Sequence, residues 1–372
     1  MRLSLLQSAS YACIAARLAR FLIMKTEQIE PLSGYIYPST HVQTYPRPAQ
    51  VRPCVAFDGG NRFIKWVDPN NQVRIIPSCL KEVTEYQWKR LRPDDASVLI
   101  EVDGKRYIIG KLAQDLGGEP TFQRNKCELA SILALVAIEP NEGDSYVHIS
   151  KFALALPDSF KQDDVAAVKR LENYPLAKEF KRNKVEISYT IYEVEPLDET
   201  LPAFNYAKSQ GFFSFPEHKN AVWDIGGGTS IARIYLPNGT LVQDGEVILP
   251  GTKSLAQQVA VEMKEEFGLD YSPSLTDIMD AIALGDCIYG TDRHDFREIY
   301  RRACASWVEA ARAEIRSKWT THLPQLGEVL VVGGSAQLAA PICSVSGDRF
   351  KIAPEPQFFN IVAMAHQSQG GA

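Results

Sequence analysis

Twice in this chain a strand-like apolar run ends on an Asp, turns through glycines and leaves as a second strand-like run. The two are VAFDGGNRFIKW at residues 55–66 and VWDIGGGTSIARI at residues 222–234. A Gly-rich turn lets backbone N–H groups close on an anion with no Cβ in the way, and the strand before it delivers a carboxylate at its end. With Asp58 and Asp224 heading the two turns, the pattern points to a nucleotide phosphate tail held from both sides.

A chain of 372 residues has room for two domains, each with its own core. With 45% hydrophobic and 23% charged residues it is globular in composition. The formal net charge of -5 gives no basic footprint of the kind a dedicated nucleic-acid binder carries, so DNA contact is expected only indirectly, through a partner. Seven scattered cysteines without a C-x-x-C pair read as reduced thiols of a cytoplasmic protein, and six histidines show no metal-ligand spacing.

Residues 1–25 carry Arg2, Arg17, Arg20 and Lys25 but no acid, and Leu6, Ser10, Ile14, Leu18 and Phe21 fall on one helical stripe. Three readings are open for this segment: a weak membrane-surface contact, a helix packed on the body, or an upstream start with Met24 as initiator. Residues 31–53 are rich in Pro, Ser, Thr and Tyr and read as a linker, so that residues 1–53 precede a folded body beginning at about Cys54.

Within the body, hairpins are expected at residues 62–78 and across Asp103-Gly104, the dipeptide that favours a tight turn. Helices are expected over 127–139, in the charged stretch after Pro157, over LPAFNYAKSQ, 253–268 and 297–319. GEVLVVGGSAQLAAP adds a buried strand, a Gly-Gly turn and a helix. Strand, hairpin and crossover helix occur twice, which argues for two similar α/β halves flanking a cleft.

Four motifs now stand in order: D-G-G-N-x-x-x-K at Asp58–Lys65, D-I-G-G-G-T-S at Asp224–Ser230, V-V-G-G-S-A at Val331–Ala336, and PEPQFFNIVAMA at Pro354–Ala365. Together they resemble the actin-like ATPases, and within them the bacterial plasmid-segregation branch of ParM and its StbA-type relatives. YIIGKLAQDL at residues 107–116 and FALALPDSF at residues 152–160 are similar to segments of that branch.

The resemblance implies an actin-like (ribonuclease H-like) α/β fold. Domain I would span 54–205, completed by a C-terminal helix at 356–368, and domain II 206–355. It also implies an ATP- or GTP-dependent ATPase that polymerises head to tail and engages DNA through a DNA-binding adaptor. A small-molecule kinase of the same superfamily and a non-polymerising ATP-binding scaffold are the alternatives.

For the site, Asp58 and Asp224 are expected to hold Mg²⁺ largely through water, because this ion gives up its waters reluctantly. Gly59, Gly60 and Asn61 of the first turn, and Gly226, Gly227, Gly228 and Thr229 of the second, would present backbone donors to the phosphates. The resemblance gives Lys65 to the phosphate tail and Gly333, Gly334 and Ser335 to the nucleoside. It places the residue that orients the attacking water at Glu199, with Glu195 the runner-up. Asn61 and Arg62 depart from the branch, where small hydroxyl residues are usual. Of two readings for Arg62, phosphate contact and solvent, solvent is expected.

Overall fold

The computed structural model describes residues 50–121, 126–159 and 161–369. The basic amphipathic segment, its membrane contact and most of the linker lie outside the described residues.

Two sheets dominate the body. Sheet I has ten strands in the order Val73–Pro77, Phe63–Val67, Gln50–Gly59, Tyr146–Leu156, Val185–Asp198, Lys178–Arg182, Ser97–Val102, Lys105–Gly110, Cys79–Glu82 and Glu119–Pro120. Sheet II has five, in the order Val247–Pro250, Thr229–Tyr235, Lys219–Ile225, Leu326–Val332 and Phe350–Ile352. In sheet I the Gln50–Gly59, Tyr146–Leu156 and Val185–Asp198 strands run parallel, and in sheet II the last three do. The carboxyl ends of such parallel strands are where α/β folds place their ligands. Asp58, Asp198, Asp224 and Val332 all fall at those ends.

Local chemistry explains the elements. Asp103 and Gly104 take φ of 50° and 74°, the left-handed pair a two-residue hairpin needs, and join Ser97–Val102 to Lys105–Gly110. The expected helix over 127–139 is α-helical at Lys126–Leu133 and tightens into a 3₁₀ turn at Ala134–Ala137, whose four residues are all buried. The predicted 297–319 helix is found at Arg297–Trp319.

One boundary needs correction. Residues 50–53, expected as linker, open the first strand, and Arg52 is buried with its guanidinium donating to the Val67 carbonyl at 3.0 Å. Pro53 obscured this. It is tolerated because the hairpin partner pairs only with Phe57, Asp58 and Gly59, leaving that flank of the strand free at Pro53.

Two helices, each with a proline in its first turn, lie between the sheets: Leu201–Ser209 and Pro356–Ser368. Phe358, Ile361, Val362 and Met364 of the latter cover Ala56, Ala153 and Leu197 of sheet I, while Phe359 joins Phe204, Val222 and Tyr235 against sheet II. Tyr206 and Phe359 meet edge to face at 5.4 Å, so the two helices pack on each other as well. The opposite face of sheet II is closed by Arg297–Trp319, with Trp223 and Trp319 among the largest fully buried side chains.

Among the described residues no helix is long and apolar enough to cross a membrane, and Cys54, Cys79, Cys287, Cys304 and Cys343 are free thiols.

Candidate active site

Each Asp-headed turn closes an antiparallel hairpin, so the residue opposite the Asp is set by register. In sheet I it is Lys65, whose Nζ donates to Asp58 Oδ2 at 2.7 Å. In sheet II the residue opposite Asp224 is Ile231, and no cation arrives from that strand. Instead Asn360, from the Pro356–Ser368 helix, donates its amide to Asp224 Oδ2 at 2.6 Å. The other oxygen is crowded by Gly333, whose φ is 96°: a Cβ there would stand 2.1 Å from Asp224 Oδ1. Gly333 is thus required by the carboxylate and by its own backbone.

The second turn is backed by the start of a helix, whereas the carbonyls of Asn61 and Arg62 in the first accept from the Thr121 hydroxyl and the Ser78 amide. The carbonyls of Gly226, Gly227 and Gly228 accept hydrogen bonds from the amides of Thr252, Lys253 and Gly251, where the Thr252–Glu266 helix begins. A Cβ on Gly251 would fall 2.6–2.7 Å from that turn's backbone. The amides that open a helix have no partner within it; here they fix the glycine turn.

Both turns open into one cavity of about 70 Å³. Asp58, Gly60, Asn61, Lys65, Glu199 and Asp224 line it, as do Gly226–Thr229, Gly333, Gly334 and Ser335, joined by Gln357 and Asn360. Two expected residues do not. Gly59 turns toward its own strand, where a Cβ would meet the Phe57 ring at 3.1 Å. Glu195 sits back in its strand, 3.3 Å from Lys151 Nζ, with Ser368 donating to it. Glu199 reaches the cavity because its amide donates to the Leu156 carbonyl at 3.0 Å, holding it at the exit of the central strands.

Arg62 does not point into solvent. One guanidinium nitrogen donates at 2.8 Å both to the Met279 carbonyl and to Asp280 Oδ1, in the Leu275–Leu284 helix across the cleft. The turns themselves touch there: a Cβ on Gly227 would lie 2.9 Å from Arg62 Cβ, and one on Gly228 2.1 Å from Asn61 Nδ2.

Three carboxylates therefore share the cavity with the Lys65 ammonium and with the Arg62 guanidinium, which Asp280 already engages. The cost falls on Asp224, whose carboxyl is pushed up to about 7 by desolvation first, then by repulsion from Glu199 and Asp58; Lys65 and the Asn360 amide oppose the shift. A site of carboxylate oxygens with surplus negative charge suits a hard cation such as Mg²⁺. The buried Asn360 Oδ1, which has no hydrogen-bond partner among the described residues, is an acceptor that a water could satisfy. Among the described residues no three His, Cys, Asp or Glu side chains gather closely enough to chelate a metal directly.

Arg62, Asn360, Gln357 and Gly251 were not picked out as site residues by the sequence. For Gly251 the signal was there, in a Pro-Gly-Thr just before a helical run.

Residues 56–199 match the family model described as the actin like proteins N terminal domain. No curated protein matches the chain by sequence. Among solved structures, the archaeal actin homolog Ta0583 superposes with a TM-score of 0.70 at 16% identity, covering 85% of this chain and 99% of that one. It has also been solved in complex with ADP, in a form that superposes with a TM-score of 0.67 at 16% identity and the same coverage. The psk41 parM protein gives 0.62 at 17% identity, covering 86% and 98%. A subunit of the 15-stranded ParM filament from Clostridium botulinum gives 0.66 at 14% identity, covering 85% and 99%. Residues 56–199 thus match an actin-like N-terminal domain, and they sit inside a body that has the fold of these actin homologues along most of its length.

Proposed function

We propose that this chain is an ATPase that polymerises head to tail in a nucleotide-dependent way, and that its filaments serve plasmid or other DNA segregation in the cytoplasm. The observation that carries this reading is the pair of Asp-headed glycine turns converging on one cavity with Lys65 and Glu199. The ADP complex of Ta0583 and the ParM filament, relatives in fold, support the nucleotide and the polymer respectively.

In this reading the lobes 54–205 with 356–368, and 206–355, close about a nucleoside triphosphate, ATP or GTP. Backbone amides of Gly60, Asn61 and Gly226–Thr229 receive the phosphates, and Lys65 sets its charge beside them. Asp58 and Asp224 would hold Mg²⁺ through its waters, with Asn360 fixing Asp224. When bound, Mg²⁺ neutralises charge that develops on the phosphate oxygens. Glu199 orients a water in line with the terminal phosphate and accepts its proton. Gly333, Gly334 and Ser335 form the nucleoside wall.

Self-assembly needs heterologous contacts that do not close into a ring, and a change in the angle between lobes alters their fit. DNA is engaged through a DNA-binding adaptor, in keeping with the net charge of -5.

Light scattering and phosphate release after adding ATP and Mg²⁺ test the proposal together. A cooperative rise above a critical concentration, with phosphate release following it, is expected. Flat scattering at high protein concentration overturns the filament, and absent phosphate release overturns the ATPase.

A further inference from the structure

The contacts of Arg62 reach beyond the cavity it lines. Asp280 accepts from Arg62 on one oxygen at 2.8 Å and from Gln114 Nε2 on the other at 3.1 Å. Arg62 belongs to the first glycine turn, Gln114 to the short Lys111–Asp115 helix packed on the outer strands of sheet I, and Asp280 to a helix of the sheet II lobe. Neither Gln114 nor Asp280 lines the cavity, so the carboxylate draws both groups from outside it.

Other side-chain bonds between the two lobes lie by the crossing helices and strand ends. Among the described residues they include Asn360 to Asp224, Thr200 with Tyr235, and Arg233 to the Pro157 carbonyl and Asp198. Rotation about the crossing helices can leave most of those in place. It cannot separate the two glycine turns without breaking the Asp280 contacts.

We propose that Arg62, Gln114 and Asp280 form a clasp across the mouth of the cleft, and that its opening sets the rate of nucleotide exchange. This rests on the nucleotide-binding reading above. The Arg62 and Asp280 side chains are 18% and 42% exposed, so the clasp is weak enough to open thermally and strong enough to slow the opening.

Stopped-flow release of a fluorescent ADP from wild type, Asp280→Ala, Gln114→Ala, Arg62→Ala and Arg62→Ala/Asp280→Ala tests it. Asp280→Ala should release ADP about three- to tenfold faster, and Gln114→Ala about twofold faster. The double variant should be no faster than Asp280→Ala, because that single change already removes both contacts to the Asp280 carboxylate. Unchanged release from Asp280→Ala, or effects that multiply in the double variant, overturns the clasp.

Small-angle scattering of the nucleotide-free proteins gives a second readout: Asp280→Ala should show the larger radius of gyration, and an equal radius counts against the clasp. If wild type takes up no ADP, the nucleotide reading fails, while the scattering comparison still decides whether the clasp exists.

Discussion

The two glycine turns look like copies in the sequence and differ in their electrostatics. Asp58 faces Lys65 across its hairpin at 2.7 Å, so its charge is met within the same element. Asp224 faces Ile231, draws only a neutral amide from a helix 136 residues later, and has its carboxyl pushed up to about 7. Register decided this. One residue opposite the Asp determines whether a turn carries a neutralised carboxylate or a destabilised one, and the destabilised one gains most when a cation arrives.

Asparagine at each Asp breaks the comparison most sharply. Asp224→Asn should lower nucleotide hydrolysis on the order of a hundredfold while stabilising the fold above pH 7. The sign follows from a folded value of about 7 against an ordinary carboxyl value of 3.8. The stabilising contribution of this group is full below about pH 4 and is lost as pH rises through about 7, so the variant's advantage in thermal midpoint should vanish near pH 4. Asp58→Asn should cost hydrolysis too, yet lower the midpoint at neutral pH, because it strands the Lys65 ammonium. Midpoints that move in the same direction at pH 8 would remove the asymmetry.

A smaller effect compares the backing of the turns. Gly251→Ala drives a methyl into the carbonyls of the second turn and should cost about 2–3 kcal/mol in denaturant unfolding. Gly59→Ala meets only the edge of the Phe57 ring at 3.1 Å and should cost under about 1 kcal/mol. The smallest change is Asn360→Ser, which shortens the donor to Asp224. Steady-state hydrolysis should show kcat falling about tenfold with the nucleotide KM within about twofold, marking a positioning residue rather than a binding one.

Much of this was legible in the sequence because it is local. Strand alternation, the Asp103-Gly104 turn and the Arg297–Trp319 helix depend on near neighbours, and the paired turns announced one cavity. The first strand began earlier than expected because Pro53 reads as linker, while the fact that excuses it, a free flank, belongs to the partner strand. Arg62 and Asn360 were missed for a similar reason. Their partners lie 218 and 136 residues away, and nothing in a side chain's own neighbourhood names the helix it will meet after folding.

Asn360 also has a consequence for synthesis. A ribosome-bound chain that stops short of residue 356 has both sheets but lacks the helix that lies between them and the amide that steadies Asp224. Such a nascent chain lacks the finished site, so the nucleotide binding proposed for it would have to wait until that helix has left the exit tunnel.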